Sequence, residues 1–381
     1  MARNRDLDVL RGFAIIGTFL AHAPQFTAIP ATIRDLYRFP AWGMGVDLFF
    51  VISGYLITKS LLKTLESKST RDVLKDFWIK RVFRILPASI FWLLVASVVS
   101  LAIAFNGDSS GLSGTIRSFL AGLFNVSNVY WSYCIKEELV NSSCGGGANM
   151  AVWWSLSLEE QFYIFFPLVF LFFGRTATLV ACAGLIIYFS TNERLFADLN
   201  WMMRLDGISY GVLLALFMER HGCQFRESLA ESRCLRLVGF TCLTLTPLLG
   251  GLAYTVEAYN PLFFSLSVVC AAVCVTIASL DAGAFEIKWV GGALAGLGRI
   301  SFSFYLCHES VLVIVANLKQ SLVPHSGDTR SFVLILSASC VASTGAALVS
   351  TRFIENPMIA VGRAMTKSAP PRALTLLDKR H

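Results

Sequence analysis

The sequence predicts an all-α protein, a polytopic membrane helix bundle of about ten transmembrane helices. Three observations carry that expectation. The 381 residues are 55% hydrophobic, include 30 phenylalanines and have a mean hydropathy of +0.63. Only 15% of them are charged, against roughly 25% in a soluble domain. The apolar runs are long and lack the alternation of a spanning barrel, so helices are the expected spanning unit. Net charge is a modest +7, and the basic residues gather in a few segments. That clustering is a signature of membrane topology, and nucleic acid is not an expected partner.

A span needs about 20 apolar residues. Such runs lie near 8–27, 42–62, 88–105, 153–173, 176–192, 203–218, 236–254, 260–280, 300–318 and 331–350. The run 115–131 carries Arg117, Asn125, Ser127 and Asn128 and makes a poor lipid-facing span. Basic clusters occupy the N-terminus, 59–84, 219–236 and the tail after 351. All four fall on the cytoplasmic side when 115–131 is a re-entrant or periplasmic helix, as the positive-inside bias requires. Counting it as a span breaks that parity. The expectation is therefore ten spans with both termini cytoplasmic. The first helix follows charges and has no small-residue cleavage site, so it is expected to be retained. Residues 1–358 form one membrane domain and 359–381 a short basic cytoplasmic tail, disordered or resting on the anionic leaflet.

Most of the ten cysteines lie inside apolar runs and read as small buried hydrophobes. Cys134 and Cys144 instead flank a polar loop expected outside. An oxidising compartment allows them a disulfide, with two free thiols as the alternative. No paired CxxC or His/Cys cluster points to a metal.

The charged residues inside the spans carry the functional reading. Arg11 and His22 are eleven residues apart in DLDVLRGFAIIGTFLAHAPQ, about three helical turns, so they share a face roughly 16 Å apart along the axis. An ionisable group at His22's depth is a functional candidate by default. Asp47, Glu159, Arg204 and Asp206 reach a similar depth from three other spans. Simple charge pairing is the alternative explanation of that layer. At the opposite end, Arg81 and Arg84 share a helix face and join Arg11. Guanidinium forks suit phosphate, although helix-end arginines are also ordinary topological charges. A long donor with phosphates at one end and a reactive group at the other fits such a two-ended site.

Seven motifs in order resemble the acyltransferase-3 family of integral membrane O-acyltransferases of surface glycans. They are RGFAIIGTFLAH (Arg11–His22), GVDLFFVISGYLIT (Gly45–Thr58), RVFRILP (Arg81–Pro87), WSLSLEEQFY (Trp154–Tyr163), RLDGISYG (Arg204–Gly211), ISFSFYLCH (Ile300–His308) and FIENP (Phe353–Pro357). The match runs over about residues 6–360. The resemblance implies a cytoplasmic acyl-CoA donor, an essential His22 paired with Arg11, an R-x-x-R made by Arg81 and Arg84, and Glu159 as the acid of the WSL motif. No tightly bound cofactor is implied. Some relatives append a periplasmic esterase-like domain. None is expected on this chain, and a separate periplasmic partner is the alternative.

On this reading the protein sits in the membrane lipid of a bacterial inner (cytoplasmic) membrane. It moves an acyl group, acetyl first, to a hydroxyl of an envelope polysaccharide or oligosaccharide. His22 acts as general base, with Asp47 or Glu159 orienting its ring by the logic of base and orienter. Ser53, Ser155 and Tyr305 are unranked candidates for the oxyanion donor, Ser53 being also a small residue for helix packing. An acyl-His22 intermediate is the other scheme. Arg204, Asp206 and His308 are further candidates, His308 reading equally as a packed core ring. A flippase of a lipid-linked sugar or small acid, or an O-acyltransferase of a small-molecule acceptor, would use similar buried charges.

Overall fold

A computed structural model describes residues 3–66, 69–104, 110–139, 144, 148–229, 233–255, 260–322 and 329–366. It is helical throughout, with no strand among the described residues. The helices are α1 (Arg5–His22), α2 (Arg34–Arg38), α3 (Met44–Leu65), α4 (Thr70–Ala104), α5 (Ser110–Leu123), α6 (Ser127–Lys136), α7 (Trp153–Thr191) and α8 (Leu199–Met202). They continue with α9 (Asp206–Leu229), α10 (Arg233–Thr255), α11 (Pro261–Ser279), α12 (Gly291–Arg299), α13 (Ser301–Leu322), α14 (Thr329–Ser350) and α15 (Asn356–Met365).

Eight described helices are long and apolar enough to cross a membrane. Large apolar side chains such as Phe172, Phe173, Leu237 and Val341 are exposed on the outside of the bundle, as lipid-facing residues must be. The difference from ten has two sources. α1 carries Arg5, Asp6, Asp8 and Arg11 in its first seven residues, too much charge for an apolar span of 18. The expected spans 153–173 and 176–192 fall within one helical run, which breaks at Gly174 (φ 79°, ψ −176°), a conformation open essentially to glycine alone.

Other boundaries shift for local reasons. The expected helix at 115–131 is two short helices, α5 and α6, parted by Asn125 at φ 55°, a left-handed position that asparagine tolerates. Two of its polar groups bond to α7. The Asn128 amide donates to Gln161 (3.0 Å), and Ser157 accepts from the Ser127 amide (3.1 Å). The basic segment 70–84 and the span 88–105 are one helix, α4, so Arg81 and Arg84 ride on a spanning helix. α15 carries helix through Met365, beyond the expected boundary at 358. Residues 367–381 of the tail lie outside the described residues.

The elements that hold the functional side chains meet backbone to backbone. A Cβ on Gly54 of α3 would sit 2.2 Å from the Ile208 carbonyl oxygen of α9. One on Gly211 of α9 would sit 2.2 Å from the Val51 oxygen. α1 meets α12 in the same way, because a Cβ on Gly12 would lie 2.3 Å from the Leu294 oxygen. Small residues permit this approach in a membrane, where contact replaces hydrophobic driving force. Of the eight spanning helices α3 and α13 are the most buried and α7 the least.

Candidate active site

Asn4 caps the start of α1, its side chain accepting from the Leu7 amide (2.8 Å), and Asp6 and Asp8 in the first turn complement the helix dipole. Asp8 also takes Arg3 (2.5 Å) and Arg11 (3.2 Å), which fixes Arg11 at the mouth of the bundle. Arg11, Arg81 and Arg84 together line two adjoining cavities. The outer one adds Arg3, Lys59, Lys63 and Lys80, giving seven cations against the single acid Asp8. The inner cavity is walled by apolar side chains of α3, α4, α7 and α13, among them Phe49, Leu56, Ile85 and Phe302. Sequence reasoning found the three arginines. It read Lys59, Lys63 and Lys80 as topological charge and so missed their place in the bowl.

Two hydroxyl groupings line the inner cavity. Ser53 lies 2.6 Å from the Tyr163 hydroxyl, which donates to Glu159 Oε2 (2.9 Å). The Arg81 guanidinium sits over the Tyr163 ring, 5.6 Å from its centroid. Deeper in, the Tyr305 hydroxyl donates to the Val152 carbonyl (3.0 Å) and lies 2.6 Å from Ser155 Oγ. Glu159 therefore serves Tyr163 and Ser53, and its bonded partners do not include His22. The Ser53–Gly54 step combines both sequence readings: Gly54 packs on α9 while Ser53 faces the cavity.

His22 closes α1, where Pro24 follows two residues later. Its Nδ1 is 2.8 Å from Nε2 of His308 on α13, with the two rings stacked at 29°. His308 is fully buried, and its Nδ1 lies 2.7 Å from the Tyr305 backbone carbonyl. A carbonyl only accepts, so His308 carries its proton on Nδ1 and presents a lone pair at Nε2. The His22 proton then sits on Nδ1 and donates to His308. This assignment of tautomers, made from the hydrogen bonds, leaves His22 Nε2 as a free lone pair. Glu309, fully buried, places Oε1 3.7 Å from that nitrogen. Neither cavity wall includes His22. Tyr305 bridges the two regions, with its side chain in the cavity wall and its carbonyl on His308.

His22, His308 and Glu309 bring three donor atoms within 4.8 Å of one another, a spacing that metal ligands can have. The 2.8 Å between His22 Nδ1 and His308 Nε2 is a hydrogen-bond distance. Both His308 nitrogens are already directed, one at Tyr305 and one at His22.

The expected layer of Asp47, Glu159, Arg204, Asp206 and His22 divides. Asp47 does not orient His22, because both its oxygens are taken by Arg204 (Nε–Oδ1 2.8 Å, Nη2–Oδ2 3.1 Å). The Arg204 guanidinium is stacked 4.1 Å from the Trp201 ring centroid and 4.7 Å from that of Trp154. Asp206 pairs with the fully buried Arg194 at 2.8 Å. These four charges behave as pairs that tie α9 to its neighbours. Glu355 of the FIENP motif accepts from Ser303 of α13 and from Thr351 (3.0 Å) within a π-helical turn. Cys134 and Cys144 are joined by a disulfide.

Sequence reasoning passed over Glu309, Tyr163 and Arg194. The signal for Glu309 was present. His308–Glu309 is an ionisable pair inside the apolar run of α13, and the depth rule that selected His22 applies to it equally.

The comparisons with known proteins bear on this arrangement. Residues 4–352 match the family model described as an acyltransferase domain. The O-acetyltransferase OatA of Staphylococcus aureus (strain NCTC 8325 / PS 47) is 28% identical over 372 residues, covering 92% of this chain and 56% of the relative. A putative O-acetyltransferase of S. aureus strain COL is 26% identical over the same shares. The chain thus spans about half the length of the curated relatives it matches. No solved structure matches. A polytopic helical bundle and a family match over nearly the whole membrane region lead to one conclusion: the chain belongs to the acyltransferase-3 family of membrane acyltransferases.

Proposed function

We propose that the protein is an O-acyltransferase that moves an acyl group, acetyl first, from cytoplasmic acyl-CoA to a hydroxyl of an envelope polysaccharide or oligosaccharide. It does so in the bacterial inner membrane, with both termini in the cytoplasm. The observation that carries this reading is the bowl of seven cations, which shares Arg11, Arg81 and Arg84 with an apolar cavity leading toward Tyr305. A phosphorylated ADP moiety needs several guanidinium and ammonium donors, and a pantetheine arm needs a narrow apolar passage. The OatA relatives are named O-acetyltransferases, which favours acetyl.

In this mechanism the acceptor hydroxyl loses its proton to His22 Nε2. The oxygen attacks the thioester carbonyl, the C–S bond breaks, and the proton returns to the departing CoA thiolate. A positioned base of this kind contributes about 10²–10⁴-fold. The Ser155 and Tyr305 hydroxyls, at the inner end of the cavity, serve as oxyanion donors once they turn from each other and from the Val152 carbonyl.

The test uses labelled acetyl-CoA with inverted membrane vesicles and extraction of envelope glycans. Label on glycan in the wild type and its loss in His22→Ala is the expected result. No CoA release from any short acyl-CoA would overturn the reading.

A further inference from the structure

We infer that His308 is a positioning residue that fixes which nitrogen of His22 reacts, and that Glu309 is the counter-charge for the imidazolium formed in transfer. The inference rests on the acyl-transfer reading above.

The Tyr305 carbonyl, His308 and His22 form a directional chain. The carbonyl accepts from His308 Nδ1 at 2.7 Å, and His308 Nε2 accepts from His22 Nδ1 at 2.8 Å. Each link permits one tautomer of the next ring, so the chain ends in an unprotonated His22 Nε2. The Phe19 and Phe304 rings, with centroids 6.4 Å and 6.2 Å from that of His308, hold the middle imidazole in place. Without His308, His22 is free to place its proton on Nε2, and the lone pair then points away from the acceptor.

Glu309 is 1% exposed at its side chain, and neither carboxyl oxygen closes a well-aligned hydrogen bond. An ionised carboxylate left this way is costly unless a cation arrives. His22 Nε2, 3.7 Å from Oε1, becomes that cation when it takes the acceptor's proton. No atom is exchanged with Glu309. The proton stays on His22 until the thiolate takes it.

The experiment compares purified full-length wild type, His308→Gln, His308→Phe and Glu309→Gln in nanodiscs, with kcat and KM for acetyl-CoA and the Kd of desulfo-CoA. His308→Gln keeps an acceptor for His22 Nδ1–H and should hold kcat within tenfold of wild type. His308→Phe fills the space without an acceptor and should lose at least 100-fold in kcat, while KM and the desulfo-CoA Kd move less than threefold. Glu309→Gln keeps the shape without the charge and should lose at least tenfold in kcat alone. Equal losses in Gln and Phe at 308 would overturn the inference, because packing would then explain both. So would unchanged kcat in His308→Phe, or a stoichiometric metal whose chelation abolishes activity. Should His308→Phe fail to fold, a His308→Gln that binds desulfo-CoA normally yet has lost its turnover overturns the inference by itself, and one within tenfold of wild type upholds it. A wild type that turns over no acyl-CoA refutes the functional reading, and the inference falls with it.

Discussion

His22 Nδ1 and His308 Nε2 lie 2.8 Å apart although 286 residues separate them. That bond joins the end of α1 to the middle of α13, two helices that also touch through Phe19 and Phe304 (ring centroids 5.8 Å). It replaces the carboxylate orienter that triad logic anticipates with a neutral imidazole backed by a carbonyl. A neutral orienter fixes direction without bringing a second charge into a low-dielectric region, where charges are expensive.

The first prediction concerns His22 itself. His22→Ala should lower acyl transfer by at least 100-fold, in line with the usual worth of a positioned base, and leave desulfo-CoA binding within twofold. The arginine bowl lies about 16 Å along α1 from His22 and does not depend on it. Transfer within tenfold of wild type in a well-folded variant would remove His22 from the chemistry.

The second prediction separates donor grip from chemistry. Arg81→Lys and Arg84→Lys retain charge but lose the bidentate fork. Each should raise KM for acetyl-CoA several-fold with a smaller change in kcat, because the arginines touch the donor far from the reacting carbon. 3′-Dephospho-CoA thioesters should lose less affinity in the variants than acetyl-CoA does. An identical fall for both donors would place the arginines on some other part of the ligand.

Much of the arginine end was legible in the sequence, because Arg11, Arg81 and Arg84 carry their meaning in spacing on single helices. Which acid serves which base was not legible. Asp47, Glu159 and Glu309 reach comparable depths, and depth says nothing about the azimuth of a helix in a bundle. That azimuth is set by small residues such as Gly54 and Gly211, which turn α3 and α9 so that Asp47 meets Arg204. The break at Gly174 was equally hidden, since a glycine between two apolar runs reads as a loop whether or not helix continues on both sides.

The third prediction uses the disulfide between Cys134 and Cys144. If the segment faces an oxidising compartment, both thiols should resist a membrane-impermeant maleimide in intact cells until a reductant is added. Cys134→Ser with Cys144→Ser should lower thermal stability modestly, by about 2–3 kcal/mol from loop-closure entropy. Labelling without reductant would contradict the pairing.

The fourth prediction tests whether Asp47 and Arg204 are structural. The pair is bidentate and almost wholly buried at 0% and 2% side-chain exposure, and the Trp154 and Trp201 rings flank the Arg204 guanidinium. Removing one partner strands a charge in a dry site, at about 3–5 kcal/mol. Asp47→Asn and Arg204→Met should therefore each lower the melting temperature in detergent and the yield of inserted protein. Replacing both with apolar residues of similar volume, Asp47→Leu with Arg204→Met, removes both charges together, and such exchanges are often neutral. The double variant should recover most of the stability lost by either single one, and with it the transfer activity, because the proposed chemistry passes through His22 and the arginine bowl. A double variant that is stable yet inactive would return Asp47 or Arg204 to the reaction itself.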